Sequence, residues 1–210
     1  MGVFISFEGG EGCGKSTQAR RLAAQLKQAG HRVVRTHEPG GTALGDELRR
    51  SLKKCRDTLV SPEAELLLFA AARAQLTSEV IIPALEQDSI VICDRFTDST
   101  VAYQGYGRGL PLDLIETINS VAARELRPDL IVLLDMDPAL ALKRKMRPRD
   151  RFELEGLAFH ERVRKGYLRL AAEEPHRWLV LDATRSPGRT AQSILERVQT
   201  LLEERSSGQR

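Results

Sequence analysis

The sequence predicts an α/β fold: a five-stranded parallel sheet with helices on both faces, three layers in all. Short strand-like runs at 3–7, 32–36, 89–93, 130–134 and 177–181 alternate with stretches of helical periodicity. Three of those runs, at 3–7, 90–93 and 130–134, are almost unbroken apolar sequence, as strands covered on both faces must be. A glycine-rich stretch directly after the first run opens a helix.

That stretch, Gly9-Gly10-Glu11-Gly12-Cys13-Gly14-Lys15-Ser16, fits G-x-x-x-x-G-K-[ST] and is followed by Thr17. Upstream lies Val3-Phe4-Ile5-Ser6-Phe7. Downstream, 18–29 reads as an amphipathic helix with Leu22, Ala23 and Leu26 on one face and Gly30 closing it. In this context the glycines let backbone N–H groups curl around phosphate oxygens, and the helix N-terminus adds its partial positive charge. Lys15 then reaches the β- and γ-phosphates and the Ser16 hydroxyl ligates Mg²⁺. The expectation is a nucleoside triphosphate site on a P-loop NTPase fold.

Further helical patterns cover 43–54, 62–86, 111–126, 138–146, 153–174 and 187–204, with Pro83 expected to kink or end the longest. No internal repeat or low-complexity linker divides the chain, so residues 1–210 are read as one domain with a polar, frayed tail from 205. Of 210 residues, 32 are basic and 29 acidic, a net charge of +3, too balanced to mark a nucleic-acid binder. Cys13, Cys55 and Cys93 form no C-x-x-C pair, and the histidines show no metal-ligand spacing. No apolar stretch is read as a membrane span. Residues 1–6 match an N-myristoylation pattern but coincide with the first strand, and no charged n-region precedes a cleavage site. The expected setting is a reducing cytoplasm, with no membrane partner.

Open α/β sheets bind ligands at the carboxyl ends of their strands, and there the sequence places Glu38-Pro39-Gly40-Gly41, Asp94-Arg95 and Asp182-Ala183-Thr184. Asp94 ends a buried-strand pattern, as a carboxylate that holds Mg²⁺ or its waters should. Asp135 is a rival for that role, but Arg95 directly follows Asp94. Arg49, Arg73 and Arg95 come from three separate elements, and Arg73 interrupts the apolar helix 66–72. Such a trio suits a second anionic phosphate, that of an acceptor nucleotide. Arg49 also shares a charged helix face with Arg50 and Lys53. In Lys143-Arg144-Lys145-Met146-Arg147-Pro148-Arg149-Asp150-Arg151, six of nine residues are basic. In a P-loop enzyme this run, about 143–152, reads as a lid that closes over ATP and brings arginines to the γ-phosphate.

Phe7-Glu8-Gly9 with the loop, Glu38-Pro39-Gly40-Gly41-Thr42, Phe69-Ala70-Ala71-Ala72-Arg73, Asp94-Arg95 and Ser99-Thr100-Val101-Ala102-Tyr103-Gln104-Gly105 occur in one order. Together they resemble thymidylate kinases of bacterial type, over about residues 3 to 204. The resemblance implies ATP- and Mg²⁺-dependent phosphorylation of dTMP to dTDP, on the way to dTTP, by a homodimer. It implies that residues 9–17 bind ATP, with Arg144, and with Thr184 bordering adenine, and that Ser16 and Asp94 serve the metal. Glu11 would approach the acceptor 3′-hydroxyl, and Glu38 and Pro39 would border dTMP. Arg49, Arg73 and Arg95 would hold its phosphate. Phe69 would stack on thymine, Ser99 and Gln104 would hydrogen-bond its edge, and Tyr103 would fill the space of a ribose 2′-hydroxyl. Loop positions 10–13 carry no basic residue, so the catalytic arginine is expected from the lid: Arg144, Arg149 or Arg151. His37 stands where many relatives have arginine. The alternatives are another nucleoside monophosphate kinase and a P-loop ATPase switch.

Overall fold

A computed structural model describes residues 2–54, 60–143, 152 and 154–207; Cys55, Arg144, Arg149 and Arg151 lie outside them. The strands are β1 (Val3–Glu8), β2 (Val33–His37), β3 (Ile90–Asp94), β4 (Leu130–Asp135) and β5 (Trp178–Asp182). They form one sheet in the order β2-β3-β1-β4-β5, and every neighbouring pair is parallel. Each lies within a residue of its expected run.

Side chains alternate along the central strands, as pleating demands. Val3, Ile5 and Phe7 of β1, Ile90 and Ile92 of β3, and Leu130, Val132 and Leu134 of β4 share one core with Leu22 and Leu26 of α1 (Lys15–Gln28) and Ile194 and Val198 of α9 (Pro187–Ser207). On the opposite face Phe4, Val91 and Phe96 pack with Leu76, and Ile131 and Leu133 pack with Phe159, Val163 and Tyr167 of α8 (Leu157–Glu173). β1 is buried at every position, which is why its sequence reads as a continuous apolar run. The remaining helices are α2 (Ala43–Lys54), α3 (Pro62–Leu76), α4 (Ile82–Glu86), α5 (Thr97–Thr100), α6 (Leu112–Ala123) and α7 (Pro138–Lys143).

The helix expected over 62–86 is interrupted. A π-helical turn, Thr77–Ile81, separates α3 from α4. Pro83 lacks the N–H that would bond the carbonyl of Glu79, and a wide turn lets its ring pass that carbonyl. By length and composition alone Pro62–Glu86 also passes for a membrane span, with an 18-residue window of mean hydropathy 1.3. Within it, however, Glu65 and Arg73 are buried in ion pairs, and α3 packs against α2 and α6. α5 and a second π-helical segment, Val101–Gly107, were absent from the sequence reading, because Thr97-Asp98-Ser99-Thr100 and the glycines of Tyr103-Gln104-Gly105-Tyr106-Gly107 show no apolar 3.6-residue period.

Phe96 follows β3 at zero exposure, edge-on to Phe4 with centroids 4.9 Å apart. Phe96→Ala leaves a void between sheet and helices and should lower stability by about 3–5 kcal/mol, read from urea unfolding.

Candidate active site at the carboxyl edge of the sheet

The chain reverses its direction of winding beside β1, and the residues after β1 and β3 meet there. Gly14, at φ 98°, caps α1 in the left-handed region where a side chain would be strained. Gly9 could carry no Cβ, which would lie 2.5 Å from the Leu134 carbonyl oxygen. The loop is thereby pressed against the end of β4. Lys15 is buried, and its Nζ donates to the carbonyls of Gly9 (3.0 Å) and Gly10 (2.7 Å). At the other end of the loop, the Ser16 hydroxyl donates to the Asp94 carboxylate. Asp135 instead holds Arg164 through two bonds of 2.7 Å.

A cavity of about 470 Å³ opens from this point. Among the expected site residues it gathers Glu11, Gly12, Gly14, Lys15, Ser16 and Thr17 with Glu38, Pro39, Arg49, Phe69, Arg73, Asp94, Arg95, Ser99, Tyr103 and Gln104. Gly9, Gly10 and Cys13 line a smaller cavity behind the loop. Thr184 lies in neither; it follows β5, where its N–H and hydroxyl both donate to Asp182.

Arg95 sits at φ 78°, a left-handed conformation that costs a non-glycine residue about 1–3 kcal/mol. Its N–H bonds the Phe7 carbonyl, and its carbonyl accepts the Cys93 thiol. The guanidinium is thus turned back over the loop. There Nη2 donates to Glu11 (2.5 Å) and Tyr103 (3.1 Å), and Nη1 to Gly9, Ser99 and Tyr167. Below it lies a carboxylate to which the sequence reading gave no role. Glu8 is fully buried and accepts from the Phe96 N–H (2.8 Å), Ser99 (2.6 Å) and Tyr167 (3.0 Å).

Arg73 has 1% exposure and rests on Glu38, Nε at 2.9 Å and Nη2 at 2.6 Å from Oε2. Nη2 also donates to the Phe96 carbonyl and Thr100, and Nη1 to Asn119. Burial raises the Glu38 carboxyl above its ordinary range, against the pull of Arg73. Arg49 donates to the Pro39 carbonyl at 2.7 Å. Burial and then the Arg49 charge hold the His37 imidazole low, so this wall residue is neutral at neutral pH. At the far end Phe69, Tyr103 and Phe152 converge, with ring centroids 5.7 Å apart for Phe69–Phe152 and 6.1 Å for Tyr103–Phe152. Gln104 donates to Glu65 at 2.7 Å.

Glu8, Tyr167, Asn119, Glu65 and Phe152 are the residues missed. For Glu8 and Glu65 a signal existed: each is an acid directly bordering an apolar run, Glu8 at the end of 3–7 and Glu65 at the start of 66–72, where an unpaired charge is too costly to bury. Tyr167, Asn119 and Phe152 give no such signal, since each reaches the site only through the packing of distant elements. Among the described residues no group of three or more His, Cys, Asp or Glu could hold a metal ion. The all-oxygen pair Ser16 and Asp94 fits Mg²⁺, which takes one or two protein ligands beside substrate phosphates.

The family profile described as Thymidylate kinase matches residues 7–194. The chain is 55% identical over 203 residues to a protein named thymidylate kinase from Dehalococcoides mccartyi, covering 96% of this chain and 98% of that one. It is 50% identical over 204 residues to another of that name from Geobacter sulfurreducens, covering 93% and 96%. Among solved structures, it is similar to a thymidylate kinase from Ehrlichia chaffeensis, with TM-score 0.77 and 34% identity over 94% of this chain and 98% of that one.

Burial, then the charge of Asp98, pushes the Glu8 carboxyl from 4.5 up to about 8. Between those values the folded state holds a proton that the unfolded chain has lost. The stability it contributes is therefore full below pH 4.5 and is lost as pH rises through about 8. Glu8→Gln cannot titrate, so its urea midpoint should fall less than that of the parent protein over this window; parallel curves would refute the shift.

Proposed function

The chain belongs to the thymidylate kinase family and phosphorylates dTMP with ATP as donor, and we propose that the cavity at the carboxyl edge of the sheet is where it does so. One observation carries this assignment: the phosphate-loop residues Lys15 and Ser16 share a single cavity with Arg49, Arg73, Arg95 and an aromatic end. A donor triphosphate and an acceptor monophosphate can then lie end to end.

In the proposed reaction an oxygen of the dTMP phosphate attacks the γ-phosphorus in line. A new P–O bond forms, the bond to the β,γ-bridging oxygen breaks, and ADP leaves with that electron pair. The acceptor is already an anion, so no general base is needed; positioning and charge neutralisation suffice. Lys15 would turn from the Gly9 and Gly10 carbonyls to the β- and γ-phosphates. Ser16 and Asp94 would hold Mg²⁺, which when bound neutralises phosphate charge. Arg49, Arg73 and Arg95 would grip the acceptor phosphate, with Arg73 and Arg95 held by their partner carboxylates and Arg49 by the Pro39 carbonyl. Glu11 would face the 3′-hydroxyl, beside Glu38 and Pro39. Phe69 would stack on the base, Ser99 and Gln104 would bond its edge, and Tyr103 would occupy the place of a 2′-hydroxyl. Thr184 would border adenine. Arg144, Arg149 and Arg151, in the expected lid at about 143–152, would supply transition-state cations. We further propose a cytoplasmic homodimer in which Leu67 of α3 and Leu114 and Val121 of α6, all exposed, are covered by the second copy.

ADP release with ATP and Mg²⁺, tested separately with dTMP, dUMP, UMP, dCMP, dGMP and AMP, is expected to be fast with dTMP, weaker with dUMP and nearly nil with UMP. Faster turnover of any other monophosphate would overturn the base assignment. Lys15→Ala, and alanine at the operative lid arginine, should lower kcat by ~10²-fold or more, as loss of a transition-state contact does. Full kcat in a lid variant removes that residue from the mechanism.

A further inference from the structure

Resting on the proposed placement of the base, we propose that Glu65 is a positioning residue that selects pyrimidines carrying an N3–H by fixing which end of the Gln104 amide faces the cavity. Glu65 lies on α3 at zero exposure, directly before the apolar stretch Leu66 to Ala72. A carboxylate there is a standing cost unless its partners answer for it. Arg108 donates to it through Nε and Nη2, each at 3.2 Å, and is itself held by Glu155 and by the face of Phe159.

The third donor is Gln104, whose Nε2 lies 2.7 Å from Glu65 Oε1. An amide can ordinarily present either its oxygen or its NH₂, and the two ends have nearly the same shape. An ionised carboxylate only accepts, so the amide must turn its NH₂ toward Glu65. Its Oε1 is then directed elsewhere, and it accepts no hydrogen bond among the described residues, although Gln104 is 1% exposed and lines the cavity. That end of the cavity is the one walled by Phe69, Tyr103 and Phe152.

A carbonyl oxygen fixed in this way complements a base whose edge donates. Thymine and uracil carry N3–H; cytosine has a lone pair at N3 and would set acceptor against acceptor. Glu65 touches no substrate and acts only through Gln104. Its signature is therefore the ratio of kcat/KM for dTMP to that for dCMP, with the dTMP to dUMP ratio as internal control, because both of those bases carry N3–H.

Glu65→Gln replaces an acceptor by a group that can also donate, which frees Gln104 to present either end. The dTMP to dCMP ratio should fall by ~10-fold or more while dTMP to dUMP stays unchanged, since an unpaired polar edge is what such a site rejects. Arg108→Met should act in the same direction. It removes the two donors that hold the Glu65 carboxylate in place against the Gln104 amide, so the amide is no longer fixed. Proportional loss with dTMP and dCMP, or no loss, in both variants would make Glu65 purely structural and overturn the proposal. Absence of dTMP turnover in the parent protein would instead remove the functional reading on which it rests.

Discussion

Three carboxyl groups with almost no access to water, Glu8, Glu38 and Glu65, lie around the ligand cavity, and each imposes order because a buried polar group must have its hydrogen bonds answered. Glu8 gathers the Phe96 N–H, Ser99 and Tyr167, and through the last two it underlies Arg95. Glu38 is gripped by Arg73, which extends to α5 through Thr100 and to α6 through Asn119. Glu65 ties α3 to Gln104 and Arg108 on the far side of the aromatic cluster. Six elements, β1, α3, α5, α6, α8 and the π-helical segment Val101–Gly107, are thereby referred to one cavity. No single pair of this kind need add net stability, but removing one partner strands the other. The constraint is geometric: it leaves few ways for the cationic side chains to point.

The phosphate loop is ordered differently, by backbone rather than charge. Gly9 is pressed onto the end of β4, and Gly14 turns the chain into α1. Lys15, drawn back onto two carbonyls, is already desolvated. A phosphate that displaces those carbonyls meets a cation that has lost most of its hydration, and such a cation acts more strongly than one in bulk water. The membership of the chain in the thymidylate kinase family sets the reaction in which this readiness is used.

Much of this was open to reading in the sequence. The five strands fall within a residue of their runs because a strand buried on both faces writes itself as continuous apolar sequence. The loop was legible because its chemistry needs particular residues at fixed local spacing. The two π-helical segments were not, since a wide turn is set by what packs around it and leaves no periodic trace. Glu8 and Glu65 were visible only as acids in apolar surroundings. The roles they take depend on Tyr167, Ser99, Gln104 and Arg108, which come from other elements.

By itself, then, the sequence determined what local interactions decide: strand and helix alternation, the phosphate loop, and the presence of acids and arginines at strand ends. Tertiary structure decided the sheet order β2-β3-β1-β4-β5, and, with β3 and β4 both beside β1, it set Asp94 against Ser16 and Asp135 against Arg164. It also decided which arginine answers which buried carboxylate. Those pairings join residues 35 and 43 positions apart, and their energy comes from exclusion of water, which exists only once the layers have closed.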